Sequence, residues 1–254
     1  MLRPRFTQEI CLGMIKVGLI GYGEWGKILF SMLNCFSKVL FICNSSDNWR
    51  NKVLDVEWVF IATPNETHYE IVADCLAQGV NVFCEKPLTL TCLQSERLYE
   101  VADKHNVELY VDDIQSYNNK RYSLRESNYI ERKKFDSKSY NERDLLYRLA
   151  YHDIYMLFDQ VKNIAIEKIK IINTVKCLHF FIFFKNISIE FFYDVEFHGD
   201  KVHRLNDTNL LTEGNIDPLM DMLMAVVGKN VDFKRNREMA LFSNNIIDQI
   251  NEKF

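Results

Sequence analysis

Two stretches of the 254-residue sequence have residue types and spacing that chemistry requires. The first is Gly21-Tyr22-Gly23-Glu24-Trp25-Gly26, directly after the apolar run 15–20 and at the head of a stretch with helical periodicity. In that setting the glycines serve a tight turn, a close approach of backbone to pyrophosphate, and close strand–helix packing. The helix N-terminus adds amide donors and a partial positive charge. A structural turn is the plain alternative for an isolated Gly-x-Gly-x-x-Gly; the strand before it and the helix after it favour a dinucleotide. Roughly 20 residues on, where an acid usually takes the ribose hydroxyls, the sequence reads Cys43-Asn44-Ser45-Ser46. Asn44 and Ser45 can bond a ribose without repelling a 2′-phosphate, and no arginine adjoins them, Arg50 and Lys38 being the candidates to pair with one. NAD and NADP both remain open, with the balance toward NAD.

The second stretch is in pieces. Thr63, Pro64, Asn65 and His68 belong to Ala62-Thr-Pro-Asn-Glu-Thr-His68, at the end of the third apolar run and so at the sheet edge where open α/β folds bind ligands. A proline turn with Asn65 or Thr67 capping the next helix accounts for the same residues. Cys84-Glu85-Lys86-Pro87 ends the fourth run, and its charged pair is either a solvated strand end or a lysine aimed into a cleft. His152 lies in a probable helix, 144–161, where a structural histidine is the ordinary alternative. With an unperturbed pKa near 6.5, an imidazole can also exchange protons near neutrality.

The elements that must position these residues follow from periodicity. Runs at 15–20, 38–43, 58–63, 80–84 and 107–111 alternate with helical stretches, as in a parallel sheet with crossover helices. Gly79 is a suitable residue just past a helix end, and the 44–55 link is too short for a full crossover helix. After Gln115 comes a polar segment, 116–144, then the helix, then apolar runs at 166–177, 178–186 and 188–197 broken by turns, the pattern of an antiparallel sheet. The expected architecture is an N-terminal Rossmann-type doubly wound parallel sheet, residues 14–114, plus a C-terminal α+β domain with a mainly antiparallel sheet, residues 115–254. The helical tail could pack back on either. Met14 would open the first strand, after a loose thirteen-residue extension.

Composition narrows the function. With 48% hydrophobic and 26% charged residues, and 31 basic against 35 acidic side chains, the chain reads as an ordinary globular protein. That excludes a disordered, collagen-like or polybasic nucleic-acid-binding chain. The seven cysteines, at 11, 35, 43, 75, 84, 92 and 177, lack the close pairing of a zinc site; a reducing compartment and no metal are expected. No signal-peptide core and no run of about 18 apolar residues is present, so a cytoplasmic protein without membrane contact is expected.

Taken together, GYGEWG, ATPNETH and EKP, in this order at strand ends one, three and four, resemble the Gfo/Idh/MocA family of nicotinamide-dependent oxidoreductases. VDDIQSYN sits where the linking strand of that family enters the second domain, and YHDIYML resembles its active-site helix. The resemblance implies that Gly21, Gly23 and Gly26, with Glu24 and Trp25 between them, cradle the pyrophosphate. It puts Asn44 and Ser45 near the adenosine ribose, and Thr63, Pro64, Asn65 and His68 in the cofactor cleft. Lys86 would stand close to the nicotinamide and the reacting carbinol, with Glu85 beside it, and His152 would exchange the substrate hydroxyl proton. Tyr117 and Arg148, with Lys86 and His152, would face the substrate, a sugar or nucleotide sugar.

Two departures from the family pattern stand out. An aspartate commonly precedes the histidine by one turn; here Arg148 occupies that position, where a cation at i, i+4 would depress the His152 pKa. It could instead grip an anionic substrate group or face solvent, with Asp144 or Asp153 orienting the histidine. Members of the family also usually exceed 300 residues, and the shortening here falls on the 44–55 link and the substrate domain. The first reading is therefore an NAD(P)-dependent dehydrogenase or reductase acting on CH–OH groups. A reduced or inactive relative that binds dinucleotide or sugar as a sensor or partner subunit is the second, and a cysteine-dependent enzyme using Cys84 is the third. Phe181, Phe183 and Phe192 form a second apolar face on the C-terminal strands, which a partner subunit in a homo-oligomer would cover.

Overall fold

The computed structural model describes residues 15–118, 120–138, 140–172, 177–211 and 217–254. Met14, Cys11 and the proposed N-terminal extension lie outside them. The first sheet is made of β1 (Lys16–Ile20), β2 (Lys38–Cys43), β3 (Trp58–Ile61), β4 (Asn81–Cys84) and β5 (Leu109–Val111), all parallel, in the order β2-β1-β3-β4-β5. Its central strands are buried on both faces, which is why they read as unbroken apolar runs; all four residues of β3 are inaccessible. Helices α1 (Glu24–Leu33) and α7 (Pro218–Val227) cover one face through Leu29, Leu33, Leu219 and Met222. Helices α2 (Asn65–Ala77) and α3 (Cys92–His105) cover the other through Ile71, Val72, Leu98 and Ala102.

The 44–55 link holds only a short 3-10 turn at Val53–Asp55, so β3 pairs directly with β1 on the side away from β2. The chain leaves β1 in one direction for β2 and in the other for β3. The crevice beyond the C-terminal ends of these strands is thus the topological switch point, where open α/β sheets bind ligands.

The second sheet has six strands: β6 (Ser127–Lys133), β7 (Ile166–Ile172), β8 (Cys177–Phe184), β9 (Ile187–Asp194), β10 (Val202–Leu205) and β11 (Thr208–Asn209), ordered β11-β10-β6-β9-β8-β7. All pairs are antiparallel except β6 with β9. Strict alternation buries Leu178, Phe180, Ile182, Phe184, Ile189, Phe191 and Tyr193 on one face and leaves Phe181, Phe183 and Phe192 half-buried on the other. The inner face lies against α4 (Glu142–Leu145), a π turn at Leu146–Ala150, α5 (Tyr151–Met156) and α6 (Phe158–Val161). A single helix over 144–161 is thus corrected to four short segments. The polar segment 116–144 is corrected as well, since it contains β6. The charges of β6 are neutralised by ion pairs, Glu131 with Lys133 two residues on and with Arg204 of β10, and Arg132 with Asp153 of α5, so an interior strand carries no apolar signature.

Both sheets share one closing element. Helix α8 (Phe233–Asn251) buries Ala240 against the first and Met239, Ile246, Ile247 and Ile250 against the second. Asn236 bonds both the amide and the carbonyl of Val111 at 2.9 Å, continuing the edge of β5 through a side chain. Among the described residues no helix is long and apolar enough to cross a membrane.

Candidate active site

A cleft of about 890 Å³ opens beyond the C-terminal ends of β1, β3, β4 and β5, within the range of natural ligand pockets. Glu24, Trp25, Thr63, Asn65, Glu85 and Lys86 line it from the first sheet, Arg148 and His152 from the helices over the second.

The glycine turn meets the demands expected of it, and separates them. Gly21 has φ +102°, and a Cβ there would fall 2.3 Å from the Ala62 carbonyl oxygen; one at Gly26 would fall 2.0 Å from the Gly21 oxygen. The fold itself therefore requires glycine at both. At Gly23 a Cβ would meet nothing within 4 Å. Gly23 also begins α1 with no side chain capping the helix, unlike α3, α7 and α8, which are capped by Thr91, Asp217 and Asp232. Open space in front of unclaimed helix N-terminal amides fits a pyrophosphate.

At the end of β2, Asn44 and Ser45 are exposed, and the Asn44 amide donates to the Asp47 carboxylate at 2.6 Å. Asp47 was missed because it lies four residues past the strand end. Of the cations considered for a 2′-phosphate, Lys38 is excluded, because it starts β2 at the opposite edge of the sheet. Arg50 pairs with Asp74 at 2.6 Å and stacks on Trp49. Lys52 does reach this end, 3.4 Å from Cys43 Sγ.

Around the third strand end, Thr63 and Asn65 face the cleft and the exposed Pro64 leads into α2, its carbonyl accepting from the Thr67 amide at 2.9 Å. His68 is a correction. It is wholly buried, its ring nitrogens 2.8 and 2.9 Å from the carbonyl oxygens of Pro87 and Thr63, so it ties two loops together beneath the cleft and does not line it. Tyr117 is also displaced: it packs on the core of the first sheet near Tyr110, and Ile114 and Gln115 of the same turn face the cleft instead.

Glu85, Lys86 and Asp112 form a buried charged cluster at the ends of β4 and β5. The Trp25 indole N–H donates to the Glu85 carboxylate. Burial, then the neighbouring Asp112 carboxylate, pushes Glu85 well above the usual carboxylate range, and burial raises Asp112 too. Burial pulls the Lys86 ammonium down to about 8 against the opposing pull of those two carboxylates. Its Nζ donates to the Arg148 carbonyl at 2.9 Å, inside the π turn. Single π turns in helices often accompany functional sites, and this one brings the helix backbone to Lys86.

Half-buried His152 stands two residues past that turn, Nδ1 2.9 Å from the Tyr155 hydroxyl, which also accepts from the Gln115 amide at 3.3 Å. Burial first, then Lys86, Arg132 and His203, hold its pKa well below 6.5, so the ring is neutral at pH 7. Arg148 does not press on it: its guanidinium binds Asp136 at 3.0 Å and lies over the Tyr140 ring. Nor does Asp144 or Asp153 orient the histidine. Asp144 caps α4 with Asn141, and Asp153 is sealed in a network with Arg132, His203 and Tyr193 at 2.8–3.2 Å. The orienting group is Tyr155, which lies three residues on, a spacing no motif flags. Cys84 is fully buried, with a thiol pushed well up by burial, which removes the nucleophilic-cysteine reading. The six described cysteines are all free thiols.

Residues 15–113 match the family model described as "Oxidoreductase family, NAD-binding Rossmann fold" (GFO_IDH_MocA). Among curated proteins, the chain is 27% identical over 157 residues to scyllo-inositol 2-dehydrogenase (NADP(+)) IolW of Bacillus subtilis (54% of this chain, 42% of that one). It is 39% identical over 57 residues to the rhizopine catabolism protein MocA of Rhizobium meliloti (22% of this chain, 18% of that one). The matched stretches thus span less than half of those relatives. In fold the likeness runs further. UDP-N-acetylglucosamine 3-dehydrogenase GnnA of Acidithiobacillus ferrooxidans superposes with TM-score 0.80 at 14% identity, covering 93% of this chain and 96% of that one. The WlbA dehydrogenase of Thermus thermophilus, in complex with NAD and UDP-GlcNAcA, superposes with TM-score 0.74 at 12% identity, over 92% and 95%. With its glycine turn, ATPNETH and EKP segments at the strand ends of a matching sheet, residues 15–113 are similar to the NAD-binding Rossmann domain of the Gfo/Idh/MocA oxidoreductase family.

Proposed function

We propose that the protein is an NAD(P)-dependent dehydrogenase or reductase acting on a secondary hydroxyl or keto group of a sugar or nucleotide sugar. The observation that carries this reading is the meeting of Lys86, from the end of β4, and His152, from α5 over the second sheet, in the cleft that also receives the N-terminus of α1. Residues 14–114 would hold the cofactor and 115–254 the substrate.

The chain's own groups fit the chemistry. Amides at the start of α1 and the open side of Gly23 would take the pyrophosphate; Asn44 and Ser45, with Asp47, would take the adenosine ribose. Thr63, Asn65, Glu24, Trp25 and Glu85 would line the path toward Lys86. When bound, the nicotinamide supplies or accepts the hydride. A neutral His152 that donates from Nδ1 to Tyr155 keeps a lone pair on Nε2 to take the proton of a substrate hydroxyl. With the proton on Nε2 the same ring returns it in the reducing direction. The Lys86 ammonium stabilises negative charge on the reacting oxygen.

NAD is favoured over NADP because Lys38 and Arg50 are unsuited to a 2′-phosphate, Lys52 being the cation left to test. The half-buried Phe181, Phe183 and Phe192 support assembly through the outer face of the second sheet into a homo-oligomer. The free thiols fit a cytoplasmic setting.

Titration with NADH and with NADPH, followed by quenching of Trp25 at the cleft, tests the reading. Saturable binding of one is expected, and Lys86→Ala and His152→Ala should retain it while losing turnover. Failure of both to bind would overturn the dehydrogenase reading and leave a sensor or partner subunit.

A further inference from the structure

Beside the cleft lies a second cavity of about 150 Å³, and Gln115 lines both. Its walls carry Arg132 and Lys133 from β6, Lys134 directly after it, Lys201 from the turn before β10, and His203. Alternation along β6 sends Lys133 to the other face, where its ammonium pairs with Glu131 and lies over Phe192 and Phe197. The charge of Lys133 is thus engaged elsewhere although the residue lines the cavity, and the cations left to it are Arg132, Lys134 and Lys201.

Their pairing is incomplete. Arg132 gives Nε and Nη2 to Asp153, while Nη1 has no partner among the described residues. Lys201 has none either. Lys134 makes a long 3.4 Å contact with Asp136, a carboxylate that Arg148 and Tyr140 already engage at 3.0 Å. Burial, then Arg148, lowers the Lys134 pKa, and Lys201 adds to the effect. Like charges lining one small cavity are stabilised by an oxyanion, through charge-assisted hydrogen bonds. The cavity also adjoins the reacting centre, since Arg132 and His203 are among the groups acting on His152.

We infer that the substrate is an anionic sugar whose carboxylate or phosphate seats between Arg132, Lys134 and Lys201 while its reacting carbinol lies between Lys86 and His152. This rests on the reading of Lys86 and His152 as the reacting pair. The volume admits a single oxyanion group, with Gln115 at the passage to the cleft.

The test is lysine-acetylation footprinting of the intact protein by mass spectrometry, with inorganic phosphate, glucuronate or neutral glucose, alongside anion titrations of Lys134→Met, Lys201→Glu and the control Lys168→Glu on β7. Phosphate or glucuronate should slow acetylation of Lys134 and Lys201 but not Lys168, and glucose should protect neither. Each cavity variant should weaken the anion about tenfold, as loss of one charge-assisted bond implies, and the control should not. The tighter anion identifies phosphate or carboxylate as the source. Equal protection of Lys168, or affinity unchanged in both cavity variants, overturns the inference. NADH titration of the same proteins keeps the two readings apart: NADH binding without anion protection sinks only the cavity, and the reverse sinks only the cofactor reading.

Discussion

On the wall of the cleft formed by the first sheet, the groups that face a cofactor are fixed within a few residues of a strand end. The Gly21 amide bonds the Cys43 carbonyl at 2.7 Å, and the turns at 21–26, 62–68 and 84–87 meet there because their strands are neighbours. On the opposite wall, Asp153 holds Arg132 and His203 from 21 and 50 residues away, and His152 is aimed by a π turn and Tyr155. The first wall is backbone geometry repeated at each strand end. The second is a buried ionic network with a helix folded over it, and its parts acquire meaning only once assembled.

Breaking the reacting pair should give the largest effect. His152→Ala and Lys86→Ala are each expected to cut turnover by about 10²–10⁴-fold, the usual worth of a positioned proton-transfer or charge-stabilising group. NADH affinity, measured by Trp25 quenching, should stay within a few-fold. Loss of cofactor affinity together with turnover would mean that the two walls are not separable.

Next comes the network. Asp153→Asn leaves Arg132 and His203 without their counter-charge in a wholly buried site, at a cost of about 3–5 kcal/mol. Thermal unfolding should fall by roughly 10 °C for a chain of this size. The same group gives a pH signature. The Arg132 guanidinium and His203 hold the Asp153 carboxyl down at about 2, below an ordinary 3.8. Its contribution is therefore present above 3.8 and lost as pH falls from about 4 to 2; Asp153→Asn should flatten that limb of the stability curve.

A bell-shaped profile sharpens the comparison at the active site. Under the proposed reaction, oxidation requires neutral His152 and charged Lys86. The plateau should then extend below pH 6.5 and end on an alkaline limb near 8, as Lys86 loses its proton. A limb that survives in Lys86→Arg would assign it elsewhere.

The smallest effects separate helix ends. Gly23→Ala should leave stability unchanged, since its Cβ meets nothing, yet weaken NADH about tenfold or more. Thr91→Ala, which removes the cap of α3, a helix whose N-terminus does not open into the cleft, should cost about 1 kcal/mol and leave NADH affinity alone. If Gly23→Ala binds NADH normally, the open space there serves some other purpose.

Legibility followed the same division. The five strands of the first sheet and its helices stand where periodicity put them, and the third-strand and EKP segments reached the cleft except for His68 and Pro64. His68 was misplaced because a histidine in a motif at a strand end carries no sign of whether it points out or down. In the second half, β8 and β9 were plain from alternation. Strand β6 was hidden because Glu131 and Arg132 are neutralised by residues far along the chain. Arg148 was expected opposite His152 on a regular helix, and the π turn, which nothing in 144–161 announces, removed that premise.

The sequence by itself determined the parallel sheet and the glycine turn, because glycine sterics and strand–helix periodicity act over a handful of residues, while Lys86 and His152 were marked out only by the resemblance to the family. Tertiary structure alone decided that these two side chains face one cleft, that Tyr155 orients the histidine, and that Arg132, Lys134 and Lys201 crowd one cavity. Those outcomes depend on burial and on charge pairing between distant strands, and neither has a local signature.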